Sequence, residues 1–449
     1  MRTLCCEQDI LSKANKVSAI HKKRFLVELF SCFSCVLSIF FDQYGSFVPG
    51  VTCGELFLIL SSALLFLFYG VSYREKWFLF VLFYAISLAS TIVSVSMSFV
   101  LRGNPFVLED GFEIASRWVR YLSYLLFFVF FFGSSCKSIS SSSLRIYRLL
   151  SLIVGAYALL QFAIYYLTKY YLPINILPIP FSNGVTTETA ISTASKYSIS
   201  YFRAYGIFTE PSYLAKFLLP SVALSFFGWG RQKADLISLF VSCGAIIVST
   251  SFQGVAIVLL TFVVCFFAGL NSGSLKKKQA LLIVLLFLIV FLLSLYLGLF
   301  NNVFSRFTQL GSSTMDESSS VRVFRGFAVW KELPIFYKVF GVGMGNAANS
   351  IKSLGIVTRF DASAQDALSF AYMNGMALTM VECGLIPFAL LLCILFSSFK
   401  KTNWAGKVIL IQLLLLMVTS NVGLLSIVSF FYFLFVLFFT KDDKKRFVV

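Results

Sequence analysis

Long, uninterrupted apolar runs recur along this chain, and nothing else in it limits the fold so strongly. Trp77 to Val100 and Ala280 to Phe300 are two of them. About 20 apolar residues are enough to cross the ~30 Å hydrocarbon layer of a bilayer as a helix. Only helices and closed barrels satisfy every backbone polar group inside lipid. The runs are continuous rather than alternating, so the chain reads as all-α, a single polytopic membrane domain over 1–449. The charge content agrees: 13% of residues are charged and 58% are hydrophobic, against about 25% charged in soluble domains.

The formal net charge of +17 raises nucleic acid as a partner. No basic stripe with interleaved aromatics lies outside the apolar runs, so the charge reads instead as basic loops that orient membrane helices. The segment 1–24 is too long and polar before its first apolar run for a cleaved signal peptide and reads as a cytoplasmic tail. The ten cysteines lie mostly inside apolar segments. Cys32 and Cys35 form a Cys-x-x-Cys on an apolar helix without a partner pair, which suits small apolar filler better than metal or redox work. The single histidine, His21, sits in the basic tail and leaves little room for histidine-based catalysis or a histidine-rich metal site.

Hydropathy and loop charge together predict about twelve spans. They fall near 25–41, 51–70, 77–100, 114–133, 149–167, 208–228, 236–250, 252–270, 280–300, 381–398, 406–420 and 424–440. The pairs 236–270 and 406–440 read as tight hairpins that turn near Ser251–Gly254 and Asn421–Gly423. One set of connections holds the N-terminal tail, Arg74, Lys76, Lys137, Arg145, Arg148, Arg231, Lys233, Lys276 to Lys278, Lys400, Lys401, Lys407 and the tail 441–449. That set carries most of the 37 basic residues. The short loops opposite carry Asp42, and Arg102 with Glu109 and Asp110. The positive-inside bias then puts both termini in the cytoplasm. Two long connections, 168–208 and 301–380, fall on the outer side, and loops of that length usually have work to do. No internal repeat is evident.

The outer connections carry the polar chemistry. Arg203-Ala-Tyr-Gly-Ile-Phe-Thr-Glu-Pro-Ser212 puts an arginine and a glutamate at a membrane mouth, where ionisable groups are expensive to desolvate. Thr209 or Glu210 suits a helix N-cap and Pro211 the first helical turn. Glu210 reads either as a functional carboxylate or as a cap paired with Arg203. In the second loop a serine cap at Ser318 to Ser320, followed by helix formers and closed by Pro334, describes a short amphipathic helix. Arg322 and Arg325 stand three apart and share a helical face. A forked guanidinium pair suits a diphosphate, which accepts bidentate hydrogen bonds; the competing reading is a solvated or headgroup-facing basic helix. Arg306 opens the same loop. Gly341-Val-Gly-Met-Gly345 is a tight glycine turn and not a dinucleotide fingerprint, because no strand precedes it. Arg117 and Arg120, three apart at one span's outer end, read equally as site or as snorkelling anchors. Asn374 and Glu382 are polar groups on an interfacial helix. Glu28, in the first span, has no sequence-level explanation.

These residues together resemble the O-antigen polymerase and ligase superfamily of bacterial polysaccharide assembly, across the helical layout of nearly the whole chain. Arg203-x-x-Gly206-x-Phe208-x-Glu210-Pro211-Ser212 looks like the polymerase signature. The Ser249-Thr250-Ser251 turn, the Ser-Ser-x-Arg322…Trp330 helix and the Gly341-x-Gly-x-Gly345 turn are weaker matches shared by both branches. The chain departs from the pattern after the serine turn, where Phe252 and Gln253 replace a frequent arginine. It departs again at Met373, which stands where ligases carry a histidine before Asn374…Glu382-x-Gly384-Leu385. That second departure argues for polymerase over ligase.

The resemblance implies a glycosyltransferase at the outer face of a bacterial inner membrane, acting without metal or cofactor. It would move a growing glycan from an undecaprenyl-diphosphate carrier to a lipid-linked repeat unit, with a chain-length regulator as a possible partner. A diphosphate leaving group needs fixed positive charge aimed at it. On this expectation Arg203 and Arg322 are catalytic, with Arg325, Arg306, Arg120, Asn374 and Ser212 binding substrate. Glu210 either accepts the acceptor's hydroxyl proton or orients Arg203. A flippase or transporter competes, although transporters usually gather polar groups at the midplane on broken helices. A metal-dependent sugar transferase using Glu109 and Asp110 is a further alternative.

Overall fold

The computed structural model describes residues 24–46, 51–69, 78–102, 108–133, 137–174, 176–177, 179, 181, 202–228, 233–271, 284, 288, 291–292, 295, 321–358, 360 and 373–439. The expected tails 1–24 (apart from Arg24) and 441–449, the span 280–300 (apart from isolated positions) and Arg306 lie outside these residues. Among the described residues the protein is all-helical. Its only extended pairings there are two isolated bridges, Tyr44 with Phe181 and Gly45 with Thr52.

In chain order the helices are α1 (Arg24–Phe41), α2 (Cys53–Tyr69), α3 (Phe78–Arg102), α4 (Leu108–Gly133) and α5 (Lys137–Thr168). Next come α6 (Pro211–Gly228), α7 (Lys233–Val248) and α8 (Phe252–Asn271). A π-helical turn, Val321–Arg325, leads into α9 (Gly326–Glu332), α10 (Ile335–Phe340) and α11 (Ala347–Ser353). The last group is α12 (Gly375–Cys383), α13 (Leu385–Lys401), α14 (Trp404–Thr419) and α15 (Ile427–Phe438). Three stretches, Arg24–Phe41, Phe78–Met97 and Ser142–Thr168, are long and apolar enough to cross a membrane; α2, α6, α7, α8, α14 and α15 are apolar but shorter.

The helix α15 lies at the centre of the bundle. Every side chain from Ile427 to Val436 is buried, which is what a helix apolar on all faces requires. Phe430 packs on Tyr124, Phe127 and Phe128 of α4. Phe433 meets Phe80 of α3 edge-on at 5.0 Å, and Phe431 stacks on Phe217 of α6 and meets Tyr147 of α5. Aromatic rings in offset and edge-to-face pairs add about 0.5–1.5 kcal/mol each beyond their area. Polar ties supplement them. Ser221 of α6 joins Ser151 of α5 and Ser238 and Ser242 of α7 in one buried hydroxyl network. Gln412 of α14 donates to the Leu219 carbonyl and the Thr261 hydroxyl.

The ties between connections fall into two groups, one at each end of the bundle. At one end Tyr69 donates to Glu28 at 2.6 Å beneath the Arg24 guanidinium, which accounts for the carboxylate left unexplained by the sequence. Arg148 pairs with Asp235 there, and Asn403 donates its amide to Phe439. At the other end Gln43 reaches Ile207 and Thr209, Arg203 reaches Ser249, Gln253 reaches Thr419, and Gly375 reaches Ser420. The hairpin α7–α8 turns at 249–251 and the hairpin α14–α15 at 420–426, close to the residues expected.

One expectation needs correction. The span predicted over 381–398 is broken at Gly384, whose φ of 85° and ψ of −177° end α12 and begin α13. The connection 301–380, where described, is tied to the bundle along one part, while Ile335 and Val357 stay exposed. Ser90 and Ser94 of α3 donate to the carbonyls of Phe340 and Gly341. Val342 and Gly343 pair with the carbonyls of Val381 and Glu382. Gly341 makes the crossing possible, because a Cβ there would overlap the Glu382 carbonyl.

Candidate functional site

The segment from Arg203 to Ser212 is an ordered loop held by two buried glutamines. Gln161 of α5 accepts from the Gly206 amide and donates to its carbonyl, both at 2.8 Å. Gln43, just past α1, donates to the Ile207 carbonyl at 2.8 Å and accepts from the Thr209 amide at 2.7 Å. Gly206 takes a φ of +61°, the bend that its position in the motif predicts. The loop's start is fixed by Ala204, which donates to the Val248 carbonyl. Beside it the Arg203 Nε donates to the Ser249 carbonyl at 3.3 Å. A guanidinium thus sits at the negative end of α7, a favourable placement.

Pro211 opens α6, so Glu210 holds the cap position and Thr209 is engaged by Gln43. Glu210 is exposed and accepts from the Ser212 hydroxyl at 3.0 Å. Tyr205 lies within electrostatic reach of both Arg203 and Glu210. Burial pushes its phenol up, Arg203 opposes that shift and Glu210 adds to it. The structure therefore brings Arg203, Glu210 and Ser212 into one region.

A second group of charges adjoins this loop. Thr52 and Glu55 form a reciprocal capping box at the start of α2: the Thr52 amide donates to Glu55 Oε2 at 2.9 Å, and the Glu55 amide donates to Thr52 Oγ1 at 3.3 Å. The buried Glu55 carboxylate also accepts from the Tyr124 hydroxyl at 2.7 Å and pairs with Arg120 at 2.5 Å. Thr52 Oγ1 donates to Asp42 at 3.0 Å. Burial pushes the Asp42 carboxyl up to about 7, and Glu55 adds to the rise; the Thr52 hydroxyl, Arg120 and Lys216 oppose it. Lys216 is itself buried, its Nζ 4.5 Å from the centre of the Tyr213 ring.

The partner of Arg117 is Glu382, at 2.7 Å, and the same carboxylate oxygen accepts from the Gly345 amide. The two arginines of α4 thus neutralise buried carboxylates on two different elements, and neither anchoring nor an open site describes them alone. The glycine turn offers no anion cradle. The amides of Gly341, Val342, Gly343, Met344, Gly345 and Asn346 all donate within the protein.

The remaining expected residues separate. Arg325 is 1% exposed and lies inside the bundle at the end of the π-helical turn. That wider turn replaces the α-helical spacing on which a shared face with Arg322 depended. Arg322 lies on the backbone of this turn, and its side chain is outside the described part, as is all of Arg306. Asn374 is fully buried: its Oδ1 caps α12 by accepting from Ala377 at 2.8 Å, and its Nδ2 donates to the Val323 carbonyl at 2.6 Å. It serves as a structural tie between that turn and α12. Cys32 and Cys35 are buried free thiols, as apolar filler would be.

Sequence reasoning passed over Glu55 and Lys216 and noted Asp42 only as a loop charge. A signal was present. Thr52-x-x-Glu55 has the capping-box spacing, and both Glu55 and Lys216 are ionisable residues within apolar runs. Comparison of the chain with protein-family models, with curated proteins and with solved structures gives no match.

Proposed function

We propose that this chain is a surface-glycan polymerase of the inner membrane, with about twelve spans and both termini in the cytoplasm. It transfers a growing glycan from an undecaprenyl-diphosphate carrier to a lipid-linked repeat unit at the outer face. One observation carries the reading: the motif Arg203…Glu210-Pro211-Ser212 is clamped by Gln43 and Gln161 into an ordered loop whose charged groups share one region. Such a loop holds a guanidinium in place beside a helix N-terminus, the positive groups that charge development on a departing diphosphate calls for. Arg325 is enclosed and Arg120 is paired with a buried carboxylate, so Arg203 and Arg322 are the leading contacts for the diphosphates, with Arg306 and Ser212 assisting.

Deletion of the gene in its host, followed by electrophoresis of the surface glycan, tests the reading. A polymerase predicts loss of long chains with single repeat units still exported; loss of all external units would instead mark a flippase. An Arg203→Ala chain present at normal levels that still makes long polymer would remove this arginine from the site.

A further inference from the structure

Asp42, Glu55, Arg120 and Lys216 come from four separate parts of the chain and form a compact charge group that the motif does not include. Three observations tie it to the motif loop. Gln43, the residue after Asp42, holds the Ile207 carbonyl and the Thr209 amide. Lys216 lies four residues after Ser212, so the two share a face of α6, one turn of about 5.4 Å apart. Lys216 faces Asp42 electrostatically, as do Arg120 of α4 and Glu55 of α2. The two carboxylates differ in their partners. Glu55 is buried and committed to Thr52, Tyr124 and Arg120. Asp42 is half-buried, and the bond described to its carboxylate is the one from the Thr52 hydroxyl. Glu210, by contrast, stands exposed beside Ser212.

We propose that Asp42, and not Glu210, is the catalytic carboxylate that takes the proton from the acceptor sugar hydroxyl. The assignment rests on the polymerase reading and deepens it. In the step, the acceptor hydroxyl oxygen forms the new bond to the donor's anomeric carbon. The bond from that carbon to the diphosphate oxygen breaks, its electron pair leaving with the carrier diphosphate. The hydroxyl proton passes to the Asp42 carboxylate and from there to water. Lys216 and Arg120 favour the ionised carboxylate against burial and the neighbouring Glu55, and Glu210 positions Ser212 at the loop's exit. A base is most effective when it titrates close to the working pH, and burial beside Glu55 raises Asp42 into that range.

The test uses membrane vesicles from the deletion host, carrying its own lipid-linked repeat units and complemented with full-length variants at matched levels. Polymer formation is followed from pH 5 to pH 9. The wild-type rate is expected to rise with pH through a midpoint near 7. Asp42→Asn is expected to lower the rate by about 100-fold or more, the lower bound for a lost general base. Glu210→Gln is expected to keep the wild-type midpoint. Lys216→Gln, which removes a positive charge facing Asp42, is expected to move the midpoint upward. An Asp42→Asn rate within threefold of wild type overturns the assignment. If Asp42→Asn fails to accumulate, the Lys216→Gln and Glu210→Gln profiles decide: an unmoved midpoint in the first, or a displaced one in the second, overturns it too. Failure of the function reading is distinct, because gene deletion would then leave the glycan ladder unchanged.

Discussion

At the residue scale, the outcome at each charged position follows from whether its partner comes from the same element or from a distant one. Arg117 and Arg120 stand one helical turn apart yet serve Glu382 and Glu55, residues that meet only in the folded bundle. In both pairs the carboxylate is enclosed while the arginine keeps 35% of its side-chain surface exposed, so losing the carboxylate costs less than the ~3–5 kcal/mol of a fully buried pair. Glu55→Leu also removes the acceptor of the Tyr124 hydroxyl and the α2 cap, and is expected to lower the thermal midpoint of the detergent-purified protein, whereas Glu210→Gln, at an exposed position, leaves it nearly unchanged. Asp42 gives a pH dependence whose sign is fixed. Its carboxyl is raised from 3.8 to about 7 on folding, so the folded chain binds that proton more tightly than the unfolded one. The resulting stabilisation is fully present below pH 4 and is lost as pH rises to about 7. Between pH 5 and pH 8 the thermal midpoint of wild type should fall relative to that of Asp42→Asn, measured by the same unfolding scan. An identical slope in both proteins would contradict the burial of Asp42 beside Glu55.

At the scale of elements, the segment 335–345 and the helix pair α12–α13 cross through two glycines. Gly341, at φ 76° and ψ 176°, and Gly384, at φ 85° and ψ −177°, both occupy a backbone region open essentially to glycine alone. A Cβ on Gly384 would overlap the Val339 carbonyl, and one on Gly341 the Glu382 carbonyl. Gly384→Ala is expected to cost about 1–3 kcal/mol from the backbone alone, with the overlap added, and to reduce folded protein on size-exclusion chromatography. Gly355, with open space around it, should lose only the backbone part on the same substitution. The sequence identified the glycine turn and the start of α6 at Pro211, because both are written in local residue types. It did not identify the break at Gly384. That break is imposed by a segment about forty residues upstream, and hydropathy averages over it.

At the scale of the whole molecule, the two groups of ties give the bundle two distinct ends, and the proposed topology assigns one to each side of the membrane. A cysteine at Val357, which is 77% exposed, should react with a membrane-impermeant thiol reagent in intact spheroplasts. A cysteine at Lys401 should react only after permeabilisation, both read against the native-thiol background. The reverse pattern would invert the orientation. Composition and the continuous apolar runs by themselves determined that the chain is a helical membrane protein, since lipid leaves so few ways to satisfy a backbone. Local residue types also marked Arg203 to Ser212 as a loop entering a helix. Only the tertiary structure decided that α15 is the buried centre, that Asn374 and Arg325 are enclosed, and that Asp42, Glu55, Arg120 and Lys216 form one group. Hydropathy records how much a segment avoids water and carries no term for its neighbours, whereas burial and charge pairing depend on contacts between residues as far apart as Arg117 and Glu382.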